Sequence, residues 1–276
     1  MELGVMVSIY EETDIPAAFW YATEAGFHRG QVTSFIHGIT ADEVRQMGVA
    51  ARNAGFQVDA VGCYMNPLRL DDPSMHGVDS LDWRTLAENM GMMNGCERIV
   101  CWSGTHGKTL TAPNLLNAEE ETFNSLYIAL SGLREQVRGL PVQILLEPFV
   151  AHVLDHAASC VRLARRFPGG NIQVVLDAPN LLTARGFMAQ KALIPDLIAR
   201  VAPAVGLVHL KDFALDAAGQ RVFLPPGLGV LDFGMQLRAI AQFLPEVPII
   251  IENVTTIDEM RAARLFVQGI LNDYGL

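Results

Sequence analysis

The 276-residue chain carries 30 Asp and Glu against 20 Lys and Arg, a formal charge of −10, and half of its residues are apolar. Such a charge argues against a nucleic-acid surface, which needs a basic stripe to neutralise phosphates. The apolar stretches break well short of the roughly 18 residues that span a bilayer, and Met1-Glu2-Leu3-Gly4 enters a strand pattern with no basic and apolar leader. Cytoplasmic residence without a membrane partner is the expectation. The four cysteines, Cys63, Cys96, Cys101 and Cys160, form no CxxC pair, so neither a disulfide framework nor a structural zinc site is expected.

Strand and helix patterns alternate along the whole chain. Residues 3–9 read as a strand and 15–25 as a helix that stops at Gly26. Strand 31–35 precedes helix 41–54, which Gly55 closes in the usual C-terminal manner. Strand 57–64 leads into a long polar loop, then helix 82–94, strand 98–102 and a second long loop. Helix 119–137 opens on three glutamates, favourable at the positive end of a helix dipole. The second half continues with strand 142–147, helix 151–166, strand 172–177, helix 190–201 and strand 205–211. A loop carrying Pro225-Pro226-Gly227-Leu228-Gly229 follows, then helix 232–243, strand 248–252 and helix 256–272. Eight βα units predict an α/β fold, a single (β/α)₈ TIM barrel domain over residues 1–276; the type takes about 250 residues. An open doubly wound sheet is the rival. No strand is followed by the GxGxxG that such a sheet would use for a dinucleotide.

Four apolar strand runs in the second half end on residues that can hold a divalent metal. They are Ile144-Leu145-Leu146-Glu147, Val174-Val175-Leu176-Asp177, Gly206-Leu207-Val208-His209 and Ile249-Ile250-Ile251-Glu252. A charged side chain at the C-terminal end of a buried parallel strand faces the mouth of the sheet, where α/β enzymes place their chemistry. The four are 30, 32 and 43 residues apart, each close to one βα repeat. Three carboxylates and an imidazole are a hard donor set suited to Mn²⁺, Mg²⁺ or Co²⁺, and open to Zn²⁺.

Lys211, two residues beyond His209, points to the same face of its strand and can meet an oxygen of a substrate or a salt-bridge partner at the mouth. Tyr10, Tyr64, Asn66, Trp102 and His106 follow N-terminal strands; the aromatic residues among them are candidates for the wall against which a sugar ring packs. His106, in a Gly104-Thr105-His106-Gly107-Lys108 loop, reads as a surface histidine. His152 and His156 stand one turn apart on the expected helix 151–166 and read as a solvent-facing pair.

Together, Leu146-Glu147-Pro148, Val175-Leu176-Asp177-Ala178-Pro179-Asn180, His209-Leu210-Lys211-Asp212, Pro226-Gly227-Leu228-Gly229-Val230-Leu231-Asp232-Phe233 and Ile251-Glu252-Asn253 resemble the sugar phosphate isomerase/epimerase family of the xylose isomerase-like TIM barrel superfamily. The resemblance implies a metal-dependent isomerase or epimerase of carbohydrate metabolism. Glu147, Asp177, His209 and Glu252 would be its metal ligands, with Mn²⁺ the first choice of ion. Glu147 and Glu252 would also be catalytic, one removing a proton beside a carbonyl and the other returning it from the opposite face. Asp212 would orient the His209 imidazole. The family's ketose epimerases place a histidine where this chain has Asn180, whose amide can bond a sugar hydroxyl but cannot share a proton. Arg221 stands where a substrate-binding arginine is expected, though farther along than usual.

The Asn180 departure opens an alternative, a metal-dependent lyase or hydratase on a 3-keto sugar or glycoside, since β-elimination also begins with proton removal beside a carbonyl. A DNA-repair endonuclease of the superfamily would need more strand-end histidines than this chain has. A non-catalytic sugar-binding barrel is the alternative of another class. The implied partner is a small carbohydrate, and Phe187 and Met188 in loop 183–190 offer a surface for a homo-oligomer.

Overall fold

Short runs rich in Val, Ile and Leu become the staves of a closed parallel barrel. The computed structural model describes residues 1–11, 14–34, 40–71, 83–93, 95–217 and 219–276. Its strands are β1 (Leu3–Ile9), β2 (Arg29–Ser34), β3 (Gln57–Gly62), β4 (Arg98–Trp102), β5 (Gln143–Glu147), β6 (Ile172–Leu176) and β7 (Val205–Leu210), followed by β8 (Asp212–Leu215), β9 (Arg221–Leu224) and β10 (Ile249–Ile251). Strands β1 to β7 and then β10 pair in parallel around the barrel, and β10 closes it against β1. The expected end of the second strand, Phe35, and the expected ends of the third helix, Asp82 and Asn94, lie outside the described residues.

The helices are α1 (Ile15–Glu24), α2 (Ala41–Asn53), α3 (Trp83–Met90), α4 (Glu120–Gln136), α5 (Ala157–Arg166), α6 (Ala178–Leu181), α7 (Ala184–Met188), α8 (Gln190–Val201), α9 (Phe233–Phe243) and α10 (Ile257–Tyr274). Local chemistry sets their ends. Thr40 and Glu43 form a reciprocal capping box on α2, and Thr256 and Glu259 do the same on α10. Gly275, at φ 67°, ends α10 in the left-handed conformation that glycine adopts at no steric cost. No helix among the described residues is long and apolar enough to cross a membrane.

Two apolar layers result. The larger lies between strands and helices. The smaller fills the barrel interior and includes Ala60, Val100, Leu145, Val175, Leu207 and Ile250. Side chains along a strand alternate between faces, so two residues beyond an inward-facing residue comes another. Two residues beyond Leu145, Val175, Leu207 and Ile250 stand Glu147, Asp177, His209 and Glu252. The period of the strand therefore stacks the four candidate ligands as one layer on top of the apolar plug.

Three segments depart from the sequence expectation. Helix α5 starts at Ala157, not residue 151; Phe149–Leu154 is apolar because it folds as a loop into the barrel mouth, where five of its six residues are buried. Residues 178–188 form the short helices α6 and α7 rather than an open loop. Strands β8 and β9 pair as an antiparallel hairpin, in register from Asp212↔Leu224 to Leu215↔Arg221. Its strands are four residues each, too short for an alternation pattern to stand out.

Candidate active site

Glu147, the last residue of β5, and Asp177 and Glu252, each one residue past its strand, meet His209 of β7 at the barrel mouth. One donor atom from each lies within 4.8 Å of the others, and all four side chains are buried. Asn253, directly after Glu252, has φ 61°; asparagine tolerates this left-handed geometry better than most residues, and it turns the chain away once Glu252 has been delivered.

The electrostatics of this layer are tightly linked. Lys211 Nζ bridges Asp177 Oδ2 and Glu252 Oε1, the latter at 2.7 Å. Glu147 accepts from Tyr64 Oη at 2.8 Å and from Asn180 Nδ2 at 2.9 Å. His209 Nδ1 lies 3.5 Å from Glu147 Oε2 and 3.7 Å from Glu252 Oε2 and has no hydrogen-bond partner. Burial by itself pushes the Glu147 carboxyl up, but His209, Lys211 and the Tyr64 hydroxyl outweigh it and hold the group down at about 2. Asp177 is driven the other way, well above the ordinary carboxylate range, by burial and by the charges of Glu252 and Glu147, with Lys211 opposing. Burial works against the charged forms of His209 and Lys211, and the surrounding carboxylates raise both in spite of it.

These residues fit a divalent cation. Three buried carboxylates outnumber the one ammonium, hard oxygen donors predominate, and Nδ1 of His209, without a hydrogen-bond partner, faces the carboxylates. Glu147, Asp177, His209 and Glu252 are the residues that would hold it.

Above this floor opens a cavity of about 400 Å³ whose wall includes Tyr10, Tyr64, Trp102, Phe149, Asn180 and Phe223. Lys211 also borders it, with Nζ 4.3 Å from the centre of the Phe223 ring. Trp102 packs on Tyr64 at 4.8 Å between ring centres and edge-on to His152 at 5.6 Å. Two buried polar atoms of the wall residues have no partner, Trp102 Nε1 and Asn180 Oδ1. A larger groove, about 680 Å³, runs between α1 and α2 past Trp20 and Val49 but includes none of the clustered carboxylates. Volume and chemistry do not coincide here.

Of the residues singled out from sequence, Tyr10, Trp102, Asn180 and Lys211 border the cavity with Glu147 and Glu252. Asn66 does not. It is fully buried, and its side-chain amide bonds the backbone of Thr105 on both sides, at 2.8 and 3.1 Å, clamping the loop after β4. Arg221 is also displaced from the expected role. Because it sits on β9, its guanidinium reaches back to the carbonyls of Pro179 and Leu182, at 2.9 and 2.7 Å, and stacks over Phe149. It braces the segment that carries Asn180.

Asp212 does not orient His209, because both its oxygens are taken by four backbone N–H groups of the hairpin and following loop. Gln31 Oε1 holds the imidazole instead, 3.0 Å from His209 Nε2. Gln31 was missed in the sequence; its one signal is a polar residue two positions before Thr33 in a strand that must face the interior. Phe187 packs edge-on against Phe213 at 4.8 Å, while Met188 is 84% exposed.

His152 is the largest revision. It is buried on the loop before α5, with Nδ1 3.0 Å from Ser103 Oγ and Nε2 2.8 Å from the Leu110 carbonyl. The carbonyl can only accept, so Nε2 carries the proton and Nδ1 accepts from the serine. His156 remains at the surface beside Asp155. Burial lowers His152 to about 4 against an ordinary value of about 6.5. A depressed histidine stabilises the fold fully above the unfolded value and loses that contribution as pH falls towards the folded one. Urea denaturation between pH 7.5 and 4.5 should therefore show a loss of about 2.5 kcal/mol from this residue. The His152→Gln variant should show a flatter pH dependence over that window; an unchanged slope would count against the assignment.

A sequence profile of the xylose isomerase-like TIM barrel family matches residues 20–266. The chain belongs to that family. Solved structures share its architecture over nearly the whole chain. D-psicose 3-epimerase, determined with D-fructose, is 14% identical at TM-score 0.68, covering 98% of this chain and 99% of its own. The 3-keto-D-glucoside 4-epimerase of E. coli is 16% identical at TM-score 0.68, with the same coverage. A xylose isomerase-like protein from Mycobacterium smegmatis, in complex with magnesium, is 12% identical at TM-score 0.68 over 95% of this chain and 90% of its own. At such identities the likeness speaks for the fold. No curated protein is significantly similar in sequence.

Proposed function

We propose that this xylose isomerase-like barrel is a divalent-metal-dependent sugar isomerase or epimerase, transferring a proton beside the carbonyl of a ketose or related hydroxy-keto substrate. The observation that carries the reading is the position of the four donors, clustered within 4.8 Å beneath an aromatic-walled cavity of about 400 Å³. A bound Mn²⁺, or Mg²⁺, Co²⁺ or Zn²⁺ in its place, supplies Lewis-acid stabilisation of negative charge on substrate oxygen.

The chain's own groups do the rest. Trp102, Phe149 and Phe223 offer faces on which the C–H side of a sugar packs and from which water is displaced. Trp102 Nε1 can donate to a substrate oxygen, and Asn180 Oδ1 can accept from a substrate hydroxyl. Glu147 ends β5 and Glu252 follows β10, so the two carboxylates come from different strands to the mouth of the barrel, and in this reading each takes one face of the reacting carbon. One takes the proton and the other returns it. Lys211, held as an ammonium between Asp177 and Glu252, keeps positive charge beside the carbonyl oxygen.

Asn180 favours one second reading. With an amide donating to Glu147 in place of a proton-sharing imidazole, the competing outcome is elimination on a 3-keto sugar or glycoside, in which a carboxylate takes the proton beside the carbonyl and the β-oxygen substituent leaves with the electron pair of its C–O bond. The deciding experiment is solvent-deuterium exchange followed by NMR, with a panel of ketoses and 3-keto sugars, on protein stripped of metal and reloaded with Mn²⁺. Exchange beside the carbonyl should appear only with metal; an epimer or an unsaturated product then chooses between the two reactions. Sugar binding without exchange at any substrate would leave a non-catalytic barrel.

A further inference from the structure

Gln31 lies inside the barrel on β2, fully buried, between Met6 of β1 and Ala60 of β3, both of the apolar interior layer. An amide in such a layer is destabilising unless it is hydrogen-bonded, and an apolar side chain would serve packing better. Its bonds are therefore the reason for its presence. Oε1 is 3.0 Å from His209 Nε2; Nε2 donates to Tyr64 Oη at 3.0 Å and to Thr33 Oγ1 at 3.1 Å. Tyr64 Oη in turn donates a hydrogen bond to Glu147 Oε2 at 2.8 Å.

With the Gln31 oxygen towards His209, as it stands, this chain of contacts is satisfied by a neutral His209 in one tautomer. An amide oxygen can only accept, so His209 carries its proton on Nε2 and leaves Nδ1 bare, and Nδ1 is the nitrogen that faces Glu147 and Glu252. Turning the amide over would move the imidazole proton to Nδ1, among the carboxylates, and would draw the Tyr64 hydroxyl from Glu147 to Gln31. We infer that Gln31 is a positioning residue that selects the His209 tautomer presenting Nδ1 to a divalent cation. The inference rests on the metal-ligand reading proposed above.

The test compares Gln31→Leu, Gln31→Glu and Tyr64→Phe with the unsubstituted protein. Mn²⁺ affinity is read by calorimetry, the His209 tautomer by ¹⁵N NMR of the Zn²⁺-loaded protein, and the fold by circular dichroism. Leucine removes the acceptor, so Mn²⁺ binding should weaken about 10- to 100-fold. Glutamate keeps an acceptor for Nε2–H and should restore affinity to within a few-fold, a rescue that loss of packing alone would not produce. Tyr64→Phe should leave the Nε2-protonated signature of His209 intact. Unchanged affinity in a folded Gln31→Leu variant, or a Gln31→Glu variant that binds as poorly as leucine, overturns the inference while leaving the ligand reading standing. If leucine prevents folding, the glutamate variant decides alone: near-normal affinity supports the role and a 10- to 100-fold loss overturns it. An unsubstituted protein that binds no Mn²⁺ overturns the ligand reading and the inference together.

Discussion

Replacing Glu252 with glutamine should lower metal-dependent proton exchange by about 10²- to 10⁴-fold, the range attributed to a positioned general acid or base. Glu252 is buried yet borders the cavity, with one oxygen on Lys211 and the other towards His209. Glutamine preserves the shape and removes the proton-carrying oxygen. Glu147→Gln should cost a similar factor by a different route, because both oxygens of Glu147 are already accepting, from Tyr64 and Asn180. An amide nitrogen there would confront a donor, so this variant should also bind metal more weakly. The clearest reading comes from supplying each epimer separately at saturating Mn²⁺, with metal content measured. Under the proposed reading, in which each carboxylate serves one face, each variant should exchange the proton of one epimer and not of the other. If both variants kept exchange within tenfold of the unsubstituted protein, the two carboxylates would be ligands alone.

The largest expected effect on stability falls on Asp212, a residue outside the chemistry. Its carboxylate is 1% exposed and accepts from Phe213 and Leu231 on Oδ1, at 2.8 and 3.0 Å, and from Gly227 and Gly229 on Oδ2, at 3.1 and 2.9 Å. Glycine is required at position 229 because a Cβ there would overlap this carboxylate and the Phe213 carbonyl. Asp212→Ala leaves four N–H groups without an acceptor and should cost about 3–4 kcal/mol. Asp212→Asn should come close to that loss, since its amide nitrogen would meet two donors. Urea denaturation should show a lower midpoint at an unchanged slope. A loss below about 1 kcal/mol would mean that water replaces the carboxylate in the loop. The hairpin that Asp212 anchors carries Phe223 over Lys211 and Arg221 onto the Asn180 segment.

Much of this molecule is already present in local pattern. The apolar runs of β5, β6, β7 and β10, the glycine helix stops and the repeat spacing led to eight parallel strands, and strand alternation alone stacks Glu147, Asp177, His209 and Glu252 on one layer. Those signals are local, with a period of two along a strand and one βα unit along the chain, so a single sequence can hold them. The partners of the layer are a different matter. Gln31 and His209 are 178 positions apart, Tyr64 and Glu147 are 83 apart, and their contacts exist only because closing the barrel brings β2, β3, β5 and β7 around one axis. His152 shows the same limit from the other side: its i, i+4 spacing to His156 was a true helical signal on a segment that does not become a helix, because Phe149–Leu154 gains more by burial in the barrel mouth. Asp212 likewise sits three residues beyond His209, within reach of an orienting role, until the β8–β9 hairpin offers its carboxylate four backbone donors instead. The shared layer of the four candidate ligands was thus determined by sequence, through strand periodicity. The choice of which groups hold, orient and charge those ligands was made by tertiary closure, because hydrogen-bond partners are selected by distance in space and not by distance along the chain.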